Sequence, residues 1–395
     1  MNIPLFASQP LRALRHTSMF SFAKGLALAG LAATLMSSCY AFERPDLDQY
    51  ADLDFKGPVK TQVLDALAGQ PDRITQESQQ SQQSQQPQQL EVTFLGTSSL
   101  YFNDGQTGIL IDGFFTRPGD LGQMAFGTIQ SDHALVKAYL QRLNIQKLAA
   151  IPVFHSHYDH ALDSAEIARL TGAKVLGSPS TAAIARGEGL AEAQIQVTEP
   201  YVPYRYGDFT ITMIPSKHVP LPGLITMTGM MGDVHEPLAQ PASLFAFAEG
   251  ETYAIHIAHP LGNSLLHSGA FLPGELTTRV PEAIKAQRQA DGLSAERLYP
   301  IDTLFQCTPG LQKLEPAVQQ QYYQEMVVNT GVKRIVPVHW DDFTLPLDVP
   351  LLPLQRFAED MEASMDFLMT ASAPRGVEIG FLPTWQSRVL YEVQP

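Results

Sequence analysis

Cysteine is nearly absent. Cys39 and Cys307 are the only two in 395 residues, which excludes a small fold stapled by a disulfide framework. Basic charge is also scarce: 26 Lys and Arg stand against 40 Asp and Glu, a formal net charge of −14. A nucleic-acid backbone as partner calls for a basic face, so that class is excluded, and the acidity itself serves solubility. The apolar segment Leu26 to Met36, about eleven residues, is too short to cross a membrane as a permanent helix. No Ser-His-Asp or Cys-His set stands out for nucleophilic catalysis.

The same apolar segment follows Arg12, Arg15 and Lys24, and its length and flanks are those of a signal-peptide core. Leu35-Met36-Ser37-Ser38-Cys39 resembles the lipobox of bacterial lipoproteins, in which the cysteine is acylated after cleavage before it. Met36 stands where that pattern usually has leucine. Cleavage after Ala41 by an ordinary signal peptidase is the alternative, because small residues occupy the two required places. Residues 1–41 are therefore expected to direct export from a bacterial cytoplasm, to the periplasm or to a membrane held through Cys39. Residues 42–88 are polar and interrupted by Pro45, Pro58 and Pro71. The run Gln76 to Gln89 is nearly all Gln and Ser; it cannot bury enough apolar surface to offset its ordering entropy and is expected to be a flexible linker.

From residue 89 onward, strand patterns and amphipathic helices alternate, a rhythm that fits an α/β arrangement. The chain is 45% hydrophobic, enough for a sizeable core in one large domain. Short strands are expected at Leu90 to Leu95, Gly108 to Asp112, Leu148 to Phe154, Ala173 to Gly177 and Phe209 to Pro215. Three more are expected at Ser243 to Ala248, Thr252 to Ala258 and Asn263 to Ser268, and one at Arg334 to Val338. Helices are expected over Ser131 to Leu143, Leu162 to Leu170 and Leu311 to Thr330, and around Phe357, Met361, Met365 and Leu368.

One run dominates the chemistry. The apolar strand ending at Phe154 leads into His155-Ser156-His157-Tyr158-Asp159-His160, three histidines and an aspartate within six residues. Packing does not call for that density of donors, whereas neutral imidazoles and a carboxylate suit Zn²⁺ or a similar borderline metal. Two histidines two apart can converge on one ion at the turn, and Asp159 and His160 can face a second.

H-x-H-x-D-H after an apolar strand resembles the signature of the metallo-β-lactamase superfamily, and the likeness extends over about the last three quarters of the chain. It is similar above all to the group of lactonases and N-acylphosphatidylethanolamine phospholipase D-like hydrolases. The resemblance implies a four-layer αββα sandwich over residues 89–395. It adds His218 to His155 and His157 at one metal, and His339 to Asp159 and His160 at the other. It also implies that Asp112 buttresses the site without binding metal, in keeping with the need of ligand histidines for a partner that fixes tautomer and orientation.

The chain departs from the family at Ser268-Gly269-Ala270, where an aspartate usually bridges two metals. The site is then mononuclear, or His267 or Glu275 stands in, or two ions share only a hydroxide with Asp-His-His on the second. The last needs no compensation, since three protein ligands plus water is the arrangement of catalytic zinc, so two Zn²⁺ are expected. His256, His259 and His267 are expected to be buried or supporting groups, Cys307 a buried thiol, and His133 a surface residue. The resemblance implies an exported hydrolase in which Zn²⁺ lowers the pKa of bound water to supply hydroxide, with Asp159 also orienting the nucleophile. The bond is an ester, lactone or phosphodiester in a small-molecule or lipid-like substrate. A β-lactam hydrolase and a non-catalytic metal-binding surface protein are the alternatives.

Overall fold

The computed structural model describes residues 43–61, 89–119, 126–219, 228–267, 301–356 and 358–393. The signal segment with Cys39, most of the Gln/Ser linker, and Met227, Ser268, Ala270, Glu275 and Phe357 lie outside the described residues. Two sheets make up the centre. The first is ordered β1 (Val59–Thr61), β15 (Ser387–Val393), β2 (Gln89–Phe94), β3 (Leu100–Asn103), β4 (Gly108–Leu110), β5 (Ala150–Pro152), β6 (Lys174–Gly177) and β7 (Ile195–Val197). The second is ordered β14 (Glu378–Ile379), β13 (Arg334–Val338), β12 (Thr303–Cys307), β11 (Gly262–His267), β10 (Tyr253–His259), β9 (Phe209–Pro215) and β8 (Pro203–Tyr206).

Both sheets mix hairpins with parallel crossovers. The hairpins β2–β3–β4 and β8–β9–β10–β11 are antiparallel, while β4 to β7 and β11 to β14 run parallel. A parallel neighbour needs a crossover long enough to return the chain, commonly a helix. After β4 comes α1 (His133–Arg142); after β5 come α2 (Tyr158–Ala161) and α3 (Ser164–Thr171); after β6 comes α4 (Pro179–Gly187). α5 (Pro316–Tyr323) links β12 to β13, and α6 (Met361–Ser372) precedes β14.

The core has two parts. Val92, Phe94 and Phe102 from the first sheet meet Ile211, Ile255 and Phe305 from the second, and the same cluster continues to Tyr322, Met326, Met361 and Met365 of the helical layer beyond. A second cluster joins Leu110, Ile151 and Val153 to Val136, Leu140, Ile167 and Ile184 of α1, α3 and α4. Two sheets with helices on both outer faces are the four layers expected, with the cores arising where each apolar face is covered.

Several expectations need correction in detail. Residues 43–61, expected as a polar stretch ahead of the domain, are part of its fold. Tyr50 and Phe55 are buried in the main core, Val59–Thr61 pairs with β15, and Arg44 bonds Asp342. Ser243 to Ala248 is not a strand but holds one 3₁₀ turn, Leu244–Ala246, with Ser243 as cap. The helix expected over Leu311 to Thr330 is broken at Pro316, which opens α5; a π-helical turn, Gln324–Val328, completes it. Pro has no N–H and fits only the first turn of a helix. The expected α1 and α3 stand, with Asp132 accepting from Ala134 and Leu135 N–H and Gly172 closing α3 at φ +78°. No helix among the described residues is long and apolar enough to cross a membrane.

Candidate metal centre

Five chain segments meet at one end of the two sheets. They are the turn after β2, the end of the β4 strand at Asp112, the run after β5, Ser216 to Val219 after β9, and His339 after β13. β5 stops at Pro152, and His157 begins the single turn of α2, so His155 to His160 wind tightly and all are buried. Their ring and carboxylate atoms separate into two groups within 4.8 Å: His155, His157 and His218, and Asp159, His160 and His339. These are the six residues expected from the sequence and its resemblance, divided as expected. The groups adjoin, with the His155 and His160 ring centroids 4.0 Å apart.

An imidazole that binds a metal turns one lone pair toward it and carries its proton on the other nitrogen, and three of the five rings have a partner for that proton. His157 Nε2 lies 3.0 Å from the Met230 carbonyl, which fixes its proton there and leaves Nδ1 facing His155 Nε2 at 2.9 Å. His218 Nδ1 lies 2.8 Å from the Val219 carbonyl, leaving Nε2 for the group. His160 Nδ1 lies 2.8 Å from Asp112 Oδ2, and its Nε2 stands 3.5 Å from Asp159 Oδ2. His339 Nε2 approaches the same Asp159 oxygen at 3.2 Å. His155 Nδ1 and His339 Nδ1 are buried without a partner.

The electrostatics favour neutral imidazoles in the first group. Burial, followed by the neighbouring histidines, holds His155 well below the usual value. Burial lowers His157, and it brings His218 down to about 3. In the second group burial opposes the charges: it works against His160, yet Asp112 and Asp159 raise that ring. Burial likewise penalises the Asp159 carboxylate, but His160 and His339 hold it well below the usual range. Neutral imidazoles in the first group, and an ionised Asp159 carboxylate beside the Asp112-paired His160 in the second, are donors a divalent transition metal takes, and the partners of His157, His218 and His160 leave the other nitrogen of each ring for such an ion.

A third group within 4.8 Å, Asp104, Asp208 and His259, does not fit. Leu261 N–H donates to His259 Nδ1 at 3.2 Å, so the neutral ring carries its proton on Nε2, facing Asp104 at 3.5 Å. That is a histidine–carboxylate pair, and it leaves no lone pair for an ion.

The other expected positions divide cleanly. Asp112, expected as a buttress, is buried and accepts Phe154 N–H at 2.9 Å with its second oxygen. His256, His259 and His267 are buried outside both groups, and His267 sits between Ser216 Oγ and the Tyr322 hydroxyl. Cys307 is a buried free thiol, pushed up by burial. His133 and His235 are exposed. Met230 is buried, and its carbonyl, not its side chain, meets His157; Met231 beside it is exposed.

Sequence reading missed the supports: Thr97, Ser98, Arg117, Asp341 and the Met230 and Val219 carbonyls. Thr97, Asp112 and His339 all have positive φ, +51°, +55° and +60°. Side chains rarely adopt that region, and such outliers gather at functional sites. Gly96, at φ +81° just before Thr97, is a residue type that marks such a turn in the sequence.

Residues 92–238 match the family model described as the metallo-beta-lactamase superfamily; the match includes every candidate ligand except His339. A metal-dependent hydrolase of Agrobacterium fabrum is 29% identical over 130 residues, 33% of this chain and 48% of that protein. Another, from Heliobacterium modesticaldum, is 31% identical over 101 residues, 26% of this chain and 35% of that protein. The chain therefore spans about half or less of the length of these curated relatives. Among solved structures, a metallo hydrolase from the archaeon Ignicoccus hospitalis has a TM-score of 0.45 at 15% identity, covering 75% of this chain and 97% of that one.

Proposed function

We propose that the chain, which matches the metallo-beta-lactamase superfamily over residues 92–238, is a metal-dependent hydrolase of that superfamily. The supporting observation is the pair of adjoining three-residue groups whose tautomers leave lone pairs facing inward. His155, His157 and His218 hold one Zn²⁺, and Asp159, His160 and His339 a second. When bound, such ions polarise the attacked oxygen and lower the pKa of water toward neutrality.

The chain's own residues do the rest. Asp112 and the Met230 and Val219 carbonyls keep protons off the inward nitrogens of His160, His157 and His218. Asp159 stays ionised and orients the attacking water. The side chains of Asp159 and His339 are each 12% exposed against 2% for His160, so substrate reaches the site over that edge. The bond we assign is an ester, lactone or phosphodiester of a small or lipid-like molecule. We further propose export, with Cys39 as the attachment point to a membrane; Cys39→Ser abolishing incorporation of labelled fatty acid is the check.

The test is metal content together with a panel of chromogenic esters, lactones, phosphodiesters and cephalosporins. Two equivalents of metal and chelator-sensitive turnover of one of the first three classes is the expected result. Turnover of cephalosporins alone supports a β-lactam hydrolase. Bound metal without any turnover supports a non-catalytic metal-binding protein.

A further inference from the structure

His339 is held in an unfavourable backbone conformation, φ +60°, by contacts that never reach the metal-facing atoms. Its N–H donates to the Thr97 carbonyl at 2.6 Å. Thr97, itself at φ +51°, donates its own N–H to Asp341 Oδ1 at 2.7 Å. The other Asp341 oxygen takes Arg117 Nη1 at 2.8 Å, and Arg117 reaches the Asp342 carbonyl at 3.0 Å and Thr97 Oγ1 at 3.2 Å. The Arg117 and Asp341 side chains are 1% and 0% exposed. Thr97 is followed by Ser98, whose hydroxyl bonds Asp112 and lies 3.0 Å from His160 Nδ1. One turn therefore serves two members of the Asp159–His160–His339 group, and none of these contacts involves His155, His157 or His218.

A buried ion pair is a poor device for stability, because desolvating both charges offsets much of their attraction. Its placement beside a candidate ligand points to another use. We propose that Arg117 and Asp341 are positioning residues for the second metal: they lock Thr97, and through it His339, into the geometry that binds the ion at Asp159, His160 and His339. This rests on the two-metal reading of the site. Outer partners of metal ligands commonly govern affinity in this way.

The experiment is a Co²⁺ titration of metal-depleted full-length protein, read by the visible absorption of the ion and by metal content after dialysis. The variants are Asp341→Asn, Arg117→Lys and the double variant Arg117→Met/Asp341→Leu, which leaves no orphaned charge. We expect the first equivalent to bind as in the parent and the second to weaken about 10–100-fold in Asp341→Asn and in the double variant, with a smaller loss in Arg117→Lys. Melting of the metal-free proteins is measured alongside. A lowered melting temperature with an unchanged second equivalent makes the pair structural only and overturns the inference, as does equal weakening of both equivalents. If Asp341→Asn does not fold, the double variant and Arg117→Lys decide by the same criteria. A parent protein that takes up fewer than two equivalents overturns the two-metal reading and this inference together, whereas two in the parent and two unchanged in the variants overturn this inference alone.

Discussion

Asp112 Oδ2 stands 2.8 Å from His160 Nδ1, while its Oδ1 accepts the N–H of Phe154 at 2.9 Å. One carboxylate thus sets the proton position of a candidate ligand and anchors the residue just before the H-x-H-x-D-H run. Asp112→Ala is expected to weaken binding of the second metal about 10–100-fold while the first remains. Metal content after dialysis of the variant against a graded chelator series checks it.

The two groups share no ligand. His155→Ala and His339→Ala are therefore each expected to lose one equivalent of metal and keep the other, and each to lose most hydrolytic turnover. Elemental analysis of both variants beside the parent reads the first outcome, and the substrate panel the second.

Stripping the metal leaves buried imidazoles turned toward one another without an ion. Because an ion bound to the folded state stabilises it by mass action, the metal-free protein should melt at a lower temperature, and the difference should grow with added Zn²⁺. Scanning calorimetry at a series of Zn²⁺ concentrations measures this; a melting temperature indifferent to Zn²⁺ contradicts it.

Gly96 has φ +81°, and a Cβ there would meet Arg117 Nη2, with Leu347 Cδ2 at 2.8 Å and Asp341 Oδ2 at 3.0 Å. Gly96→Ala is expected to destabilise by roughly 1–3 kcal/mol, from the strained φ alone, and to disturb the Arg117–Asp341 pair as well. Urea unfolding at constant metal load gives the value.

Burial lowers His256 to about 4 and His267 to about 3, against an ordinary histidine near 6.5. The unfolded chain therefore binds more protons than the folded one below pH 6.5, so stability falls as the pH drops from about 6.5 toward 4. Each group contributes a slope of about 1.4 kcal/mol per pH unit within its window. Replacing His256 with Gln should flatten the slope between pH 6 and 4, as read by urea unfolding of the metal-free protein across that range.

Most of the strands, the helices α1 and α3, and the ligand run after β5 were legible because each depends on neighbours in sequence. Asp132 caps a helix two residues on, and His155 to His160 fall together whatever the rest of the chain does. The break at Pro316 was legible too, since proline cannot continue a helix, yet the apolar stripe around it read as one element. Ser243 to Ala248 misled for the converse reason: an apolar run of that length suits a strand or a packed turn equally.

His218 and His339 carry no local mark of what they do. They follow strands of the second sheet, and only the facing of the two sheets brings them to the run after β5. Local chemistry along the chain set the donor types, their number and the turn that holds four of them. Which nitrogen His157 and His160 turn inward was settled by groups 73 and 48 positions away, the Met230 carbonyl and Asp112, and the backbone of His339 by Thr97, itself tied to Asp341 244 positions on. Tautomer and backbone strain are properties of contacts across the fold, and contacts of that range exist only once the two sheets have closed on their common core.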